Sequence, residues 1–356
     1  MPSMRFANRL VTRTLLLLTL LLGAYNEIFI YYFNRTSWQE INCKLDNCTR
    51  MLLIADPQLL GLTYDKSFYS GVARYDSDRY LQKTFQQALT FTKPHIICFL
   101  GDLLDEGNVA SPDEFQSYVQ RFRSIYKTHE DIRLIHIPGD NDIGGENGEY
   151  ISNLNIHRFE EAFTQRDIFD YNLLRFFKIN RMMLDFTNPD RLNNKQKLRI
   201  GLSHAPILIG GGPLLRAILT ELDPHIIFSG HWHESRIFIH PSTKVISFYE
   251  PTVKHFNLKQ MKEQQHSYLE IMVPTSSYRM GKTNIGMGYA VLENYDLSYT
   301  VLWLPNRFIS LLVYVFWLLF VFCMILTFRM MTRCPFRKIS KRQTQYQLVN
   351  NSTPEY

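Results

Sequence analysis

Met51-Leu-Leu-Ile-Ala-Asp-Pro-Gln58 holds the two features on which the reading of this chain turns. Met51 to Ala55 has the length and composition of a strand buried on both faces, and it stops at a carboxylate, a proline and a carboxamide. The pattern recurs. His95-Ile-Ile-Cys-Phe-Leu100 runs into Gly101-Asp102, and Ile132-Arg-Leu-Ile-His-Ile137 passes through Pro138 into Gly139-Asp140-Asn141-Asp142. Leu198 to Ser203 meets His204, and His225 to Phe228 leads to Gly230-His231-Trp232-His233. Helical periodicity separates the first three strands. Asp76 to Thr92 gathers Tyr80, Leu81, Phe85, Ala88 and Leu89 on one face, and a second helix opens after Ser111-Pro112. Strands alternating with helices predict an α/β fold with a sheet covered on both sides. Further strands are expected at Arg181 to Phe186, Lys244 to Phe248, Tyr289 to Glu293 and Tyr299 to Leu304, enough for a second sheet.

Polar clusters at strand ends stand where open α/β sheets bind ligands. These clusters carry carboxylates, carboxamides and imidazoles, the donors suited to borderline divalent cations. The adjoining glycines allow sharp turns and close approach of a ligand. In Gly-His-x-His, extended residues two apart project to the same side, so His231 and His233 are expected to reach two neighbouring metals from one strand end. A lone histidine after a strand is more often structural; five such clusters at equivalent positions are hard to explain as core packing.

The ends of the chain differ from its middle. Thr14 to Phe33 and Phe308 to Phe328 are long and apolar enough to cross a bilayer, although Asn26 and Glu27 interrupt the first. A signal peptide also has a basic start and a leucine run, but no A-x-A-like cleavage site follows here, which favours an uncleaved anchor. The formal charge of +6 is carried by the ends. Three arginines against Glu27 give residues 1–33 a net +2, and six cations against Glu355 give residues 329–356 a net +5, leaving about −1 between them. The middle therefore has no bulk attraction for nucleic acid. Cations on the outer flank of each span place both termini in the cytosol and the middle in the lumen. The expected organisation is a transmembrane helix at 14–33, a lumenal stalk at 34–49, a lumenal catalytic domain at 50–304, a transmembrane helix at 308–328 and a basic cytosolic tail at 329–356. Asn47 and Asn34 are glycosylation candidates in that frame, whereas the sequons at Asn350 and Asn351 fall in the cytosol. Cys43 and Cys48 either pair in an oxidising compartment or remain two thiols. Cys98 reads as core, Cys323 lies in the second span, and Cys334 just beyond it is a palmitoylation candidate.

The order D-x-H, GD, GNH[D/E], H, GHxH resembles the signature of the calcineurin-like metallophosphoesterases, over roughly residues 50–304. The resemblance implies a two-sheet α/β sandwich flanked by helices, with a dinuclear metal site at the strand ends. By the family's pattern Asp102 bridges two cations, Asp56 and His233 hold one, and Asp140, His204 and His231 hold the other. Gln58 stands where the family has a histidine and is a further ligand candidate. Asp140-Asn141 stands where the family has Asn-His, and a carboxamide cannot replace that histidine as general acid; Asp102, Asn141 and Asp142 are the expected catalytic positions. Asp56 to Gly61, Leu100 to Gly107 and Asp142 to Gly144, framed by two spans, further resemble a membrane-anchored branch of the family. That branch removes the ethanolamine-phosphate side branch from the second mannose of GPI anchors, with manganese as metal. This implies GPI-anchored proteins or GPI glycolipids as substrate, a role in their export, and an address in the early secretory pathway: endoplasmic reticulum exit sites, the intermediate compartment and the cis-Golgi. The alternatives are a phosphomonoesterase or nucleotide phosphodiesterase of the same fold, and a metal-binding cargo adaptor without catalysis.

Overall fold

The computed structural model describes residues 2–45, 47–64, 66–145, 150–187, 197–242 and 244–333. The tail from Cys334 on, with Asn350 and Asn351, lies outside the described residues. In chain order the strands are β1 (Thr49–Ile54), β2 (Ile96–Leu100), β3 (Arg133–Ile137), β4 (Ile168–Tyr171), β5 (Leu174–Asn180), β6 (Asp185–Phe186) and β7 (Leu198–Ser203). They continue with β8 (Ile226–Ser229), β9 (Arg236–His240), β10 (Lys244–Ser247), β11 (Lys254–Asn257), β12 (Tyr268–Met272), β13 (Gly286–Glu293) and β14 (Asp296–Trp303).

Two sheets form. The first has the order β11-β14-β13-β1-β2-β3, and the second β10-β9-β12-β8-β7-β5-β4, with β6 on β5. β1, β2 and β3 are mutually parallel, as are β5, β7, β8 and β12, so each sheet has a parallel heart. The alternation of side chains builds the layers. Met51 and Leu53 turn inward to share a core with Leu198, Ile200, Leu202 and Phe228 of the other sheet. Their neighbours Leu52 and Ile54 turn outward against Tyr80, Phe85, Phe115 and Phe122 of the helices Ser70–Thr92 and Pro112–Ile125. Phe177, Ile179 and Ile227 do the same on the far face of the second sheet, against Ile207, Ile218 and Leu222. This is the expected helix-flanked two-sheet α/β fold. Each buried aliphatic or phenyl group removes enough apolar surface to contribute about 1.5–3 kcal/mol.

The helix expected after Ser111-Pro112 starts there because Ser111 and Glu114 form a reciprocal capping box. One strand is elsewhere than expected. Arg181 to Leu184 form a turn leaving only Asp185–Phe186 extended, and the long strand is Leu174–Asn180, which buries Leu174 and Phe176 on one face and Phe177 and Ile179 on the other.

Two compact units divide the chain. One comprises the N-terminal helix up to Leu22 and the helix from Phe308 on, joined by the Trp317 indole N–H donating to Thr19 Oγ1 at 2.9 Å. The helical stretches Arg9–Arg35 and Arg307–Met330 are long and apolar enough to span a membrane. The other unit runs from Gly23 to Arg307. Its first residues continue the helix through a π-helical turn, Tyr25–Phe29, and a further turn, Ile30–Arg35. Tyr31 is buried against Tyr80, and Trp38 packs on Phe91 and donates to the Trp303 carbonyl at 2.8 Å. Arg307 bridges Asp76 and Glu27, and Glu27 also pairs with Arg79. The segment expected as a stalk lies along the domain. Lys44 and Leu45 donate backbone N–H groups to Glu293, the Asn47 amide donates to Asn294, and Cys43 and Cys48 form a disulfide.

His136 and His225 predict how stability follows pH. Burial first, then Lys178 and Arg123, push His136 down to about 3; burial, Lys262 and Arg199 do the same to His225. Both imidazoles are neutral in the fold and ordinary in the unfolded chain, so their contribution is complete above pH 6.5 and is lost as pH falls toward 3. The slope is about 1.4 kcal/mol per pH unit for each proton. The His136 ring stacks on Phe99 at 5.0 Å, so His136→Phe keeps the packing. Urea unfolding of parent and variant between about pH 4 and 6.5 should show a shallower pH slope in the variant. Equal slopes would mean that His136 is not buried neutral.

Candidate metal centre

The five polar clusters converge at the carboxyl ends of parallel strands from both sheets. Asp56, Asp102 and Asp140 follow β1, β2 and β3, and His204, His231 and His233 follow β7 and β8. Backbone bonds knit the loops: Asp56 N–H donates to the Gly101 carbonyl, Gln58 N–H to Asp102, and Gly230 N–H to His204. Asp56, Gln58, Asp102, His231 and His233 all have left-handed φ, between 40° and 74°. Five such non-glycine residues in one site are a strained backbone held by its surroundings. The left-handed turns also revise the expectation for His231 and His233. They reach the same centre because the chain coils after β8, not because it continues as a pleated strand.

Asp140, His204 and His231 bring one ligand atom each within 4.8 Å of one another, and so do Asp56, Asp102 and His204. His204 Nε2 lies 2.9 Å from Asp140 Oδ1 and 3.4 Å from Asp102 Oδ1. His231 Nδ1 is 3.1 Å from Asp140 Oδ1, and His233 Nε2 is 3.7 Å from Asp56 Oδ1. His204 Nδ1 faces the Leu100 carbonyl at 2.8 Å. A carbonyl can only accept, so Nδ1 carries a proton and Nε2 is aimed at the carboxylates.

Three buried carboxylates around one imidazole are costly. Burial raises the pKa of Asp56 and Asp102, and the neighbouring carboxylates raise both further. Burial lowers that of His204, but Asp102, Asp140 and Asp56 outweigh it and hold the imidazole well above its ordinary value. His233 moves the other way, to about 4, through burial and the adjacent His204 and His231. A neutral His233 and a cage of buried acids are what a divalent cation needs, since its charge offsets their repulsion. The donor set fits the cations that the sequence implies.

Glycine is required at two places. A Cβ on Gly139 would collide with Asp102 Oδ1, and one on Gly101 would collide with His204 Nδ1.

Other expected residues are placed less directly. Gln58 Nε2 donates to Asp102 Oδ2 at 2.9 Å, and Asn141 donates its side-chain amide to the same oxygen at 3.1 Å and its backbone N–H to Oδ1 at 3.0 Å. Both carboxamides therefore hold Asp102. Asp142, expected among the catalytic positions, faces backbone instead. Its carboxylate accepts N–H groups of Gly139, Leu103 and Leu104 at 2.9–3.1 Å, clipping the β3 loop to the β2 loop. Burial and the Asp102 charge push it up to about 7. His136, near in sequence, is enclosed by Phe99, Phe122 and Phe163, and His157 sits on the helix Asn153–Ala162.

Two supporting carboxylates carry no local sign of their role. Glu106, fully buried, accepts the backbone N–H groups of Thr63 and Tyr64 at 2.7 Å and ties the loop after β1 to that after β2. Glu270 on β12 accepts those of Ile207 and Leu208 and fixes the loop after His204.

Two sheets whose strand ends pool acids and imidazoles define a metal-dependent phosphoester hydrolase fold. The sequence profile of the calcineurin-like phosphoesterases matches residues 49–235, just over half of the chain, and the chain belongs to that family. It is similar to metallophosphoesterase 1 of Cricetulus griseus, 26% identical over 183 residues, which are 49% of this chain and 45% of the relative. The likeness to metallophosphoesterase 1 of Rattus norvegicus is 23% over 297 residues, 65% of this chain and 73% of the relative. A metallophosphoesterase 1 homolog of Drosophila melanogaster is 32% identical over 112 residues, 31% of this chain and 29% of its own. The chain spans less than half the length of the first of these relatives. A solved metallophosphoesterase from Sphaerobacter thermophilus aligns with 71% of this chain and 87% of its own at 11% identity, with a TM-score of 0.36.

Proposed function

We propose that the chain is a membrane-anchored phosphodiesterase that uses two divalent cations, most naturally manganese, to remove ethanolamine phosphate from the second mannose of GPI anchors. The observation that carries the reading is the convergence of Asp56, Asp102, Asp140, His204, His231 and His233 from five strand ends within ligand reach. Asp140, His204 and His231 would hold one cation, Asp56 and His233 the other, and Asp102 would serve both. Bound there, the pair supplies Lewis acidity toward the phosphoryl oxygens and a water nucleophile at neutral pH. The chain's own part is to fix that geometry. Leu100 orients His204, the Gln58 and Asn141 amides orient Asp102, and Asp142 and Glu106 lock the loops on which these residues ride.

The narrower family resemblance and the two candidate spans support a lipid-linked glycan as substrate. The Cys43–Cys48 disulfide supports an oxidising compartment for the domain. The charge flanking the spans supports both termini in the cytosol, with Asn47 and Asn34 as lumenal glycosylation sites, and the family resemblance supports residence between the endoplasmic reticulum and cis-Golgi. The alternative of a non-catalytic cargo adaptor is favoured by one observation: Asn141 gives its amide to Asp102 and has no proton to give a leaving oxygen.

The full chain, stripped with EDTA and reloaded with Mn²⁺, should release ethanolamine phosphate from a GPI substrate. It should also unfold at higher temperature when loaded, since a ligand at about 100 times its Kd stabilises by about 2.7 kcal/mol. Stabilisation with no release from GPI, but turnover of a chromogenic monoester or diester, would assign a different phosphoester. Stabilisation with no turnover at all would leave the adaptor.

A further inference from the structure

Between residues 62 and 75, six side chains form an apolar patch that the fold leaves open. Phe68 is 100% exposed, Val72 71% and Tyr75 69%, and Leu62, Tyr64 and Tyr69 are exposed beside them. Contiguous exposed aromatics mark a contact surface, and the question is what meets this one.

The direction of the helix Ser70–Thr92 answers it. Within the unit Gly23–Arg307 this helix lies beside the stretch Gly23–Trp38, and their contacts advance in step. Glu27 meets Arg79, Tyr31 meets Tyr80 and Lys83, and Arg35 and Trp38 meet Phe91. The two segments therefore run the same way, and the N-terminal end of Ser70–Thr92 points back toward the side on which the chain enters the unit at Gly23. That entry is part of the apolar stretch Arg9–Arg35. Tyr75 and Val72 lie within about 40° of Arg79 around the helix and about 6 and 10 Å further back along it. They reach past Glu27 toward the level of Gly23. The exit from the unit gives the same level, because Arg307, where the second candidate span begins, is paired with both Asp76 and Glu27. Glu27 and the exit at Arg307 thus share the latitude of Asp76 and Arg79, and Tyr75 and Val72 lie beyond it, on the Gly23 side.

We propose that Leu62, Tyr64, Phe68, Tyr69, Val72 and Tyr75 form a membrane-contact surface that sits in the interfacial layer of the lipid leaflet. Aromatic rings with a polar edge favour that layer, and Tyr64, Tyr69 and Tyr75 are of this kind. The surface connects directly to the centre. Thr63 and Tyr64 are held by Glu106 of the β2 loop, and Gly61 and Leu62 continue the loop that carries Asp56 and Gln58. Lipid contact would set the depth at which the centre meets a lipid-linked phosphodiester, and in that respect the inference rests on the function proposed above.

The full chain in phospholipid nanodiscs tests it without reference to turnover. Phe68→Trp, compared with the parent protein, should give a blue-shifted emission increment that lipids brominated on the acyl chains quench. Val245→Trp, on the edge strand β10 of the other sheet, should give an increment open to iodide and untouched by bromine. Iodide access to the indole introduced in place of Phe68 would overturn the proposal. So would an indole there that is sheltered from iodide yet not quenched by bromine, a result that would assign a protein cover. Phe68→Asp with Val72→Asp should selectively lose turnover of vesicle-borne substrate and keep that of a soluble diester. Bromine quenching without this selectivity would uphold lipid contact and count against the lipid-linked substrate alone.

Discussion

Replacing Asp102 by asparagine should reduce turnover by about 10³-fold or more while leaving the fold intact. Asparagine keeps the shape of the side chain and tolerates the left-handed backbone at this residue, where φ is 51°. Gln58 and Asn141 can turn their amides to meet a neutral partner. What is lost is the charge next to Asp56 and Asp140. Without cations, that loss removes buried repulsion, so the thermal midpoint of the metal-free variant should equal or exceed that of the parent. With Mn²⁺ added, the parent should gain stability and the variant little. Calorimetry with and without metal, beside a phosphodiester assay, reads both effects. A variant that unfolds early without metal would show Asp102 to be structural, and one that retains activity would remove it from the centre.

Asn141→His should raise turnover, by about 10²-fold or more if protonation of the leaving oxygen limits the rate. Asn141 already lies at the centre's edge, its backbone N–H fixed on Asp102 Oδ1 and its side chain partly exposed. An imidazole there can both hold Asp102 and deliver a proton. The gain should be largest for substrates with poor leaving groups, and the kcat profile should acquire an alkaline limb as the imidazole loses its proton. No gain with poor leaving groups would show that the proton already has an efficient source, despite the carboxamide.

The strands that carry the centre are legible because of where they lie. β1, β2 and β7 are covered on both faces, so they read as apolar runs ending in a polar residue, and the structure ends them at Ile54, Leu100 and Ser203. β5 is covered less evenly. Its Arg175 and Lys178 interrupt the apolar run, and composition alone points instead to Arg181–Phe186. Within the centre, residue type and spacing pick out the acids and imidazoles but not their direction. Asp142 stands two residues from Asp140 and looks equivalent to it, yet its carboxylate turns to three backbone N–H groups. Glu270 is invisible for a related reason: its partners Ile207 and Leu208 lie 63 and 62 residues away in the chain. Such long-range support depends on the packing of two sheets, which no local pattern encodes.

The clasp formed by Glu27, Asp76, Arg79 and Arg307 fixes where the metal-centre unit could be excised from the two candidate spans. The folded body begins at Gly23, within what composition marks as lipid-spanning, because Tyr31 and Trp38 are part of its interior. A cut just after the apolar stretch would discard Glu27 and Tyr31, leave Arg307 with Asp76 alone and uncover the side of the Tyr80 ring that Tyr31 covers. The smallest soluble version therefore keeps the greasy helical remnant from Gly23 to Arg35, and its solubility hinges on masking the outward side of that remnant.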